Sequence, residues 1–77
     1  MALIARFEER PIEPTRVHDD VVCGYAYADV GARRILQLET YGSRQRRIPG
    51  KVSQSIQVDE DGARALKQIL ERAFPGN

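Results

Sequence analysis

Apolar and polar positions alternate over two stretches of this chain, and that alternation predicts strands. From Arg33 to Gly42, Leu36, Leu38 and Thr40 fall on one face, and Ile35, Gln37, Glu39 and Tyr41 on the other. A period of two with one apolar side marks a half-buried strand. From Val52 to Asp59, Val52, Ile56 and Val58 share a side with Gln54, while Ser53, Ser55 and Gln57 point the opposite way. Between Val21 and Val30 the pattern differs. Val21, Cys23, Tyr25 and Tyr27 alternate with Val22, Ala26, Ala28 and Val30, with Gly24 between, so neither face is polar. Such a strand is expected to be covered on both sides or to meet a partner on one of them. Asp29 and Gly31 supply a turn into the next strand. Residues 2–9 read as a short strand or ordered arm, which Pro11 ends because proline has no N–H to give a ladder.

After Val58 the period changes. Ala63, Leu66, Ile69, Leu70, Ala73 and Phe74 recur at helical spacing, with Arg64, Lys67, Gln68, Glu71 and Arg72 on the wet side. Asp59 or Asp61 is placed to cap the N-terminus, Glu60 complements the positive end of the dipole, and Pro75 and Gly76 end the helix. The stripe is wide enough to seal a sheet and still leave contact area for a second copy. The expected class is therefore α+β: an antiparallel sheet of three or four strands followed by one C-terminal helix packed on it. The expected layout is a single domain with an N-terminal strand or arm over 1–10, a loop over 11–20, the sheet over 21–59 and the helix over 60–74.

Length changes this picture by making the core marginal. A domain of 77 residues buries only about 60% of the surface of its unfolded chain, and chains of this size gain stability by pairing. A homodimer is expected on that ground. Charge matters through its distribution. Twelve basic and eleven acidic residues leave a formal +1, which is not the balance of a strongly basic nucleic-acid-binding domain. Between Arg33 and Lys51, however, six basic residues stand against one acid, Glu39. The connection "GSRQRRIPGK" carries Arg44, Arg46, Arg47 and Lys51. It reads either as a solvated hairpin that keeps a sheet edge soluble or as a grip on a polyanion.

Catalytic chemistry finds no support in the residues. His18 is the only histidine, and the run His18-Asp19-Asp20 lacks the spacing and the second nitrogen or sulfur ligand of a metal site. Cys23 is the only cysteine, so no internal disulfide forms, and its apolar strand predicts a buried, inert thiol. "GKVS" lacks the glycine spacing of a phosphate loop and precedes a strand. We expect no enzyme, no catalytic residues, no metal and no cofactor. The opening residues lack the apolar run of a signal peptide and no segment reaches the ~20 apolar residues of a membrane span, so a soluble cytoplasmic protein is expected.

Single strands are held where cations track phosphates, aromatic faces stack on bases and small polar groups complete the hydrogen bonds. Gln37, Glu39, Tyr41, Ser53, Ser55 and Gln57, beside Arg44, Arg46, Arg47 and Lys51, provide that mixture. Tyr25 and Tyr27 read more readily as core or cross-strand packing. The stretch "RRILQLETYGSRQRRIPGKVSQSIQVDEDGARALKQIL" resembles the C-terminal part of the positive-cofactor-four family of transcriptional coactivators. Leu36, Leu38 and Tyr41 resemble its strand ending in an aromatic residue. Pro49, Gly50 and Lys51 resemble its loop element, Ile56 and Val58 its apolar pair, and Leu66 and Lys67 its leucine-lysine step in the helix. The chain departs from the family at Val52 and Ser53, and at Ala63, where the family carries a tryptophan. The resemblance implies a curved antiparallel sheet that binds single-stranded DNA and a dimer formed through helices. By that resemblance Arg44, Arg46, Arg47 and Lys51 contact phosphates and Tyr41 stacks; Arg34 joins the basic set. DNA and RNA are both open as partners. The competing reading is a protein-interaction module that docks through the apolar strand Val21–Val30 or the spare helix face.

Overall fold

The computed structural model describes residues 1–42 and 51–76. The chain forms β1 (Ala2–Ile4), β2 (Cys23–Val30), β3 (Arg33–Thr40), β4 (Gln54–Val58) and α1 (Glu60–Ala73). The four strands make one sheet in the order β1-β4-β3-β2, and the fold is α+β. β2 and β3 form an antiparallel hairpin in unbroken register from Cys23↔Thr40 to Val30↔Arg33. Its turn uses Gly31 at φ 63, a left-handed conformation that glycine adopts without steric cost. β3 and β4 are also antiparallel, pairing Leu36 with Val58 and Leu38 with Ile56. The sheet is nevertheless mixed, because β1 runs parallel to β4, with Ala2 opposite Ile56 and Ile4 opposite Val58.

The strands are shorter than the apolar runs suggest. Val21 and Val22 precede β2, Val52 and Ser53 precede β4, and the N-terminal strand stops at Ile4. Residues 5–22 follow as an irregular arm, whose Phe7 lines an open cleft together with Ala65, Ile69 and Ala73 of the helix.

The helix joins the sheet at its first turn. Asp59 is the N-cap, and its Oδ1 accepts a hydrogen bond from the Gly62 N–H at 2.9 Å. Its Oδ2 also accepts from Arg33 Nη2 at 2.7 Å, which ties the helix start to the start of β3. Gly62 is buried, and a Cβ there would lie 2.9 Å from Val58 Cγ1 and 3.2 Å from the Ile4 carbonyl oxygen. The glycine lets the helix approach β4 and β1 closely. Val58, 2% exposed, and Ile35, 8% exposed, are the buried apolar residues among those described.

Further along, the helix leaves the sheet. Leu66 is half-buried, and Ile69, Leu70 and Phe74 are exposed. The helix packs on the sheet as expected, through its first turn, and the stripe beyond it is exposed at Ile69, Leu70 and Phe74. β2 is likewise not covered on two sides. It is an edge strand, with Tyr25 73% and Tyr27 63% exposed. Cys23, expected to be buried, is exposed at the start of this edge strand. Its thiol donates a long, weak hydrogen bond to the Gly24 carbonyl.

Candidate nucleic-acid interface

Alternation along β2, β3 and β4 sorts the side chains onto two faces. One carries Gly24, Ala26, Ala28 and Val30 from β2, Ile35, Gln37 and Glu39 from β3, and Ser55 and Gln57 from β4. These small and polar groups, Ser55 apart, line a shallow groove of about 340 Å³. Its floor along β2 is low because glycine and alanine add little height. One end is apolar, with Val30 and Ile35; the other is polar and closed by Tyr41.

The polar end is internally ordered. Gln57 Nε2 donates to Gln37 Oε1 at 2.9 Å, and Gln37 Nε2 donates to Glu39 Oε2 at 2.6 Å. This chain fixes both amides and leaves a carboxylate at its end. Beyond Glu39, Tyr41 folds over β2. A Cβ on Gly24 would lie 2.5 Å from Tyr41 Oη and 3.1 Å from its ring, so the phenol occupies the space where any other residue would carry a side chain. Glycine inside a strand often marks such a close approach.

The sites expected from sequence separate into three groups. Tyr41 is half-buried at the polar end of the groove. Lys51 is exposed two residues before Ser53, whose N–H donates to the Thr40 carbonyl at 2.6 Å. Lys51 therefore enters the sheet at the Tyr41 end. Arg44, Arg46 and Arg47 lie outside the described residues, on the segment that joins Gly42 to Lys51. Arg34 stands apart. It shares the parity of Leu36 and Leu38, near the far end of β3 and on the opposite face. There its Nη1 donates to Asp29 at 3.3 Å and its guanidinium lies 5.0 Å from the Tyr27 ring centre, within cation–π range. The structure does not bring Arg34 to Tyr41.

Gly24, Ala26 and Ala28 are the groove residues that side-chain chemistry alone overlooks. Their signal is the run "GYAYA", which places three small residues on one face and two tyrosines on the other.

The titration of Asp59 is displaced downward. The Gly62 N–H, then the Arg33 guanidinium, hold its carboxyl below the usual range. It lies at the helix joint, outside the groove. Among the described residues no three His, Cys, Asp or Glu side chains gather as a metal site, and no helix is long and apolar enough to cross a membrane. Compared with known families, curated proteins and solved structures, the chain matches none of them.

Proposed function

We propose that this chain is a small, non-enzymatic protein that binds single-stranded DNA or RNA along the groove, acting as a homodimer. The observation that carries the reading is the position of the groove's polar end. Tyr41 stands where β3 passes into the segment that holds Arg44, Arg46 and Arg47, Lys51 stands where that segment returns, and Gln37 and Gln57 lie further along the same groove at mid-sheet. Fixed amides supply donors and acceptors to bases, and a tyrosine supplies a stacking surface. Phosphates are left to the cations of the connection, since Glu39 makes the groove itself unfavourable to them. The division of labour is one that single-strand binding commonly uses. The resemblance to the positive-cofactor-four coactivators agrees with this reading.

Titration of the protein into labelled single-stranded DNA and RNA tests it by fluorescence anisotropy at low and physiological salt. Affinity is expected to fall as salt rises, with a slope of roughly −0.7 per phosphate neutralised. Changing Arg46→Ala and Arg47→Ala together is expected to remove most of the binding and flatten that slope, with the fold intact by circular dichroism. Absence of binding at low salt overturns the proposal.

A second reading draws on the helix. Ile69 and Leu70 are exposed on the stripe beyond the first turn, as a protein-docking surface requires. That reading expects a complex that resists salt and weakens on Leu70→Asp.

A further inference from the structure

We infer that β2 is the pairing edge of a symmetric dimer: two copies join β2 to β2 antiparallel, with Ala26 on the two-fold axis, into one eight-stranded sheet. The inference specifies how a second copy is held. It does not depend on nucleic-acid binding.

The first observation is surface left uncovered. The chain exposes 7277 Å², whereas a folded monomer of this length exposes about 4,700 Å². Exposed apolar side chains among the described residues include Ile12 and Val17 of the arm, Tyr25, Tyr27 and Val30 of β2, and Leu70 of the helix. The deficit of burial is larger than the ~800 Å² per partner that a standard interface covers.

The second observation is the edge itself. β2 has eight residues in regular register with β3. It has no proline, lysine or arginine, its one charge is Asp29, and the continuous register leaves no place for a bulge. Proteins that keep an edge strand free use short strands, bulges, prolines or inward charges to prevent pairing. β2 has none of the first three, and Asp29 is held by Arg34. Among the described residues, no backbone hydrogen bond outside the ladder reaches its outer edge.

The third observation chooses the occupant. A two-fold axis normal to the sheet keeps each face on its own side, so opposed residues must have like parity. With Ala26 facing itself, Tyr25 opposes Tyr27 of the second copy, and Tyr27 opposes Tyr25 of the second copy. Gly24 then opposes Ala28, and Cys23 opposes Asp29. Two aromatic pairs form on one face, cross-strand neighbours that favour pairing, and no like charges meet. Shifting the axis to Tyr27 sets Tyr25 against Asp29; shifting it to Tyr25 sets Tyr27 against Cys23. The strand is therefore most complementary to itself, and in one register. On the other face the small residues of both copies merge, so the two grooves share a floor and their Tyr41 ends lie outward.

The test uses the full chain. Sedimentation equilibrium is expected to give a dimer. In a Cys23→Ser background, Ala26→Cys is expected to oxidise to a disulfide-linked dimer, whereas Leu70→Cys is not. Tyr25→Lys with Tyr27→Lys places lysines opposite one another and is expected to weaken the dimer by about tenfold or more. Mixing that variant with Tyr25→Glu/Tyr27→Glu chains is expected to restore association as a heterodimer. Such rescue requires the two residues to meet across the axis. A monomeric wild-type protein overturns the inference. So does a dimer that cross-links through Leu70→Cys and not through Ala26→Cys, which is the outcome a helix-mediated dimer gives.

Discussion

The two sides of the sheet hold together by different means. On the β4 side, Val58 is enclosed, Gly62 brings the helix against β4 and β1, and Asp59 holds both the Gly62 N–H and Arg33. On the β2 side the ladder is complete, yet both tyrosines, Cys23 and Val30 are exposed. Hydrogen bonding to β3 gives β2 its shape, while the described residues leave its apolar side chains exposed. A short chain cannot enclose both edges of a four-stranded sheet with one helix. This one sets the start of its helix over β4 and β1 and leaves β2 open.

The comparison breaks most sharply at Val58. Val58→Ala removes buried methyl groups from the most enclosed apolar position described. At ~0.8 kcal/mol per buried methylene plus the cavity that remains, the loss is about 2–3 kcal/mol. That is a large share of the ~5 kcal/mol at the lower end of domain stability. Denaturant titration measures it directly. Tyr27→Ala, on the other side, is expected to lower the melting temperature only at protein concentrations where the dimer is populated, because its burial comes by mass action. If both losses proved independent of concentration, β2 would be stabilised within the monomer and the two sides would not differ.

Asp59 sharpens the same contrast through pH. Its carboxyl titrates lower in the folded chain than in the unfolded one, since the Gly62 N–H and Arg33 favour the charged form. The contribution is therefore complete above the ordinary carboxylate range and is lost as pH falls through the lowered folded value. The melting temperature is expected to drop over that acid interval. Asp59→Ala should remove this part of the acid slope and lower the neutral-pH melting temperature. Asp59→Asn keeps an N-cap acceptor and loses the ion pair, so it should lower the neutral melting temperature less. Equal losses from the two variants would assign the effect to Arg33 and not to the cap.

Much of the fold was legible along the chain. The alternation over 33–41, the glycine turn at Gly31 and the helical stripe from Ala63 fix the hairpin, the order of elements and the cap. The parallel pairing of β1 with β4 was not, because three residues carry no pattern that names a distant partner. Alternation also says which residues share a face, and not what covers it; hence the apolar strand predicts a buried Cys23 and leaves the tyrosines of β2 open between core and cross-strand packing. The candidate site shows the same division. Arg34 was grouped with the basic loop by charge, although its parity with Leu36 and Leu38 already assigned it to the other face. Arg44, Arg46 and Arg47 fall on residues that the structure does not describe. Gly24 carried a usable signal, since glycine within a strand points to a neighbour that needs the space.

That space gives the smallest expected effect on stability and the finest test of the groove. Gly24→Ala introduces a Cβ 2.5 Å from Tyr41 Oη and 3.2 Å from Tyr41 Cζ. All three nearest atoms belong to the Tyr41 side chain, at the end of β3, so the ring can swing away without moving the ladder. An alanine also relieves the ~0.5–1 kcal/mol that glycine costs within a strand. The two effects offset, and the unfolding midpoint is expected to stay within about 0.5 kcal/mol of the wild type. Binding is expected to respond differently. If Tyr41 stacks from its position over Gly24, displacing it should lower single-strand affinity by up to the ~1–3 kcal/mol that one stacked base is worth. Tyr41→Ala should cause a similar loss, and combining the two changes should add little, since each removes the same contact. Full additivity in that double-variant cycle would mean that Tyr41 acts from elsewhere and that Gly24 only shapes the floor.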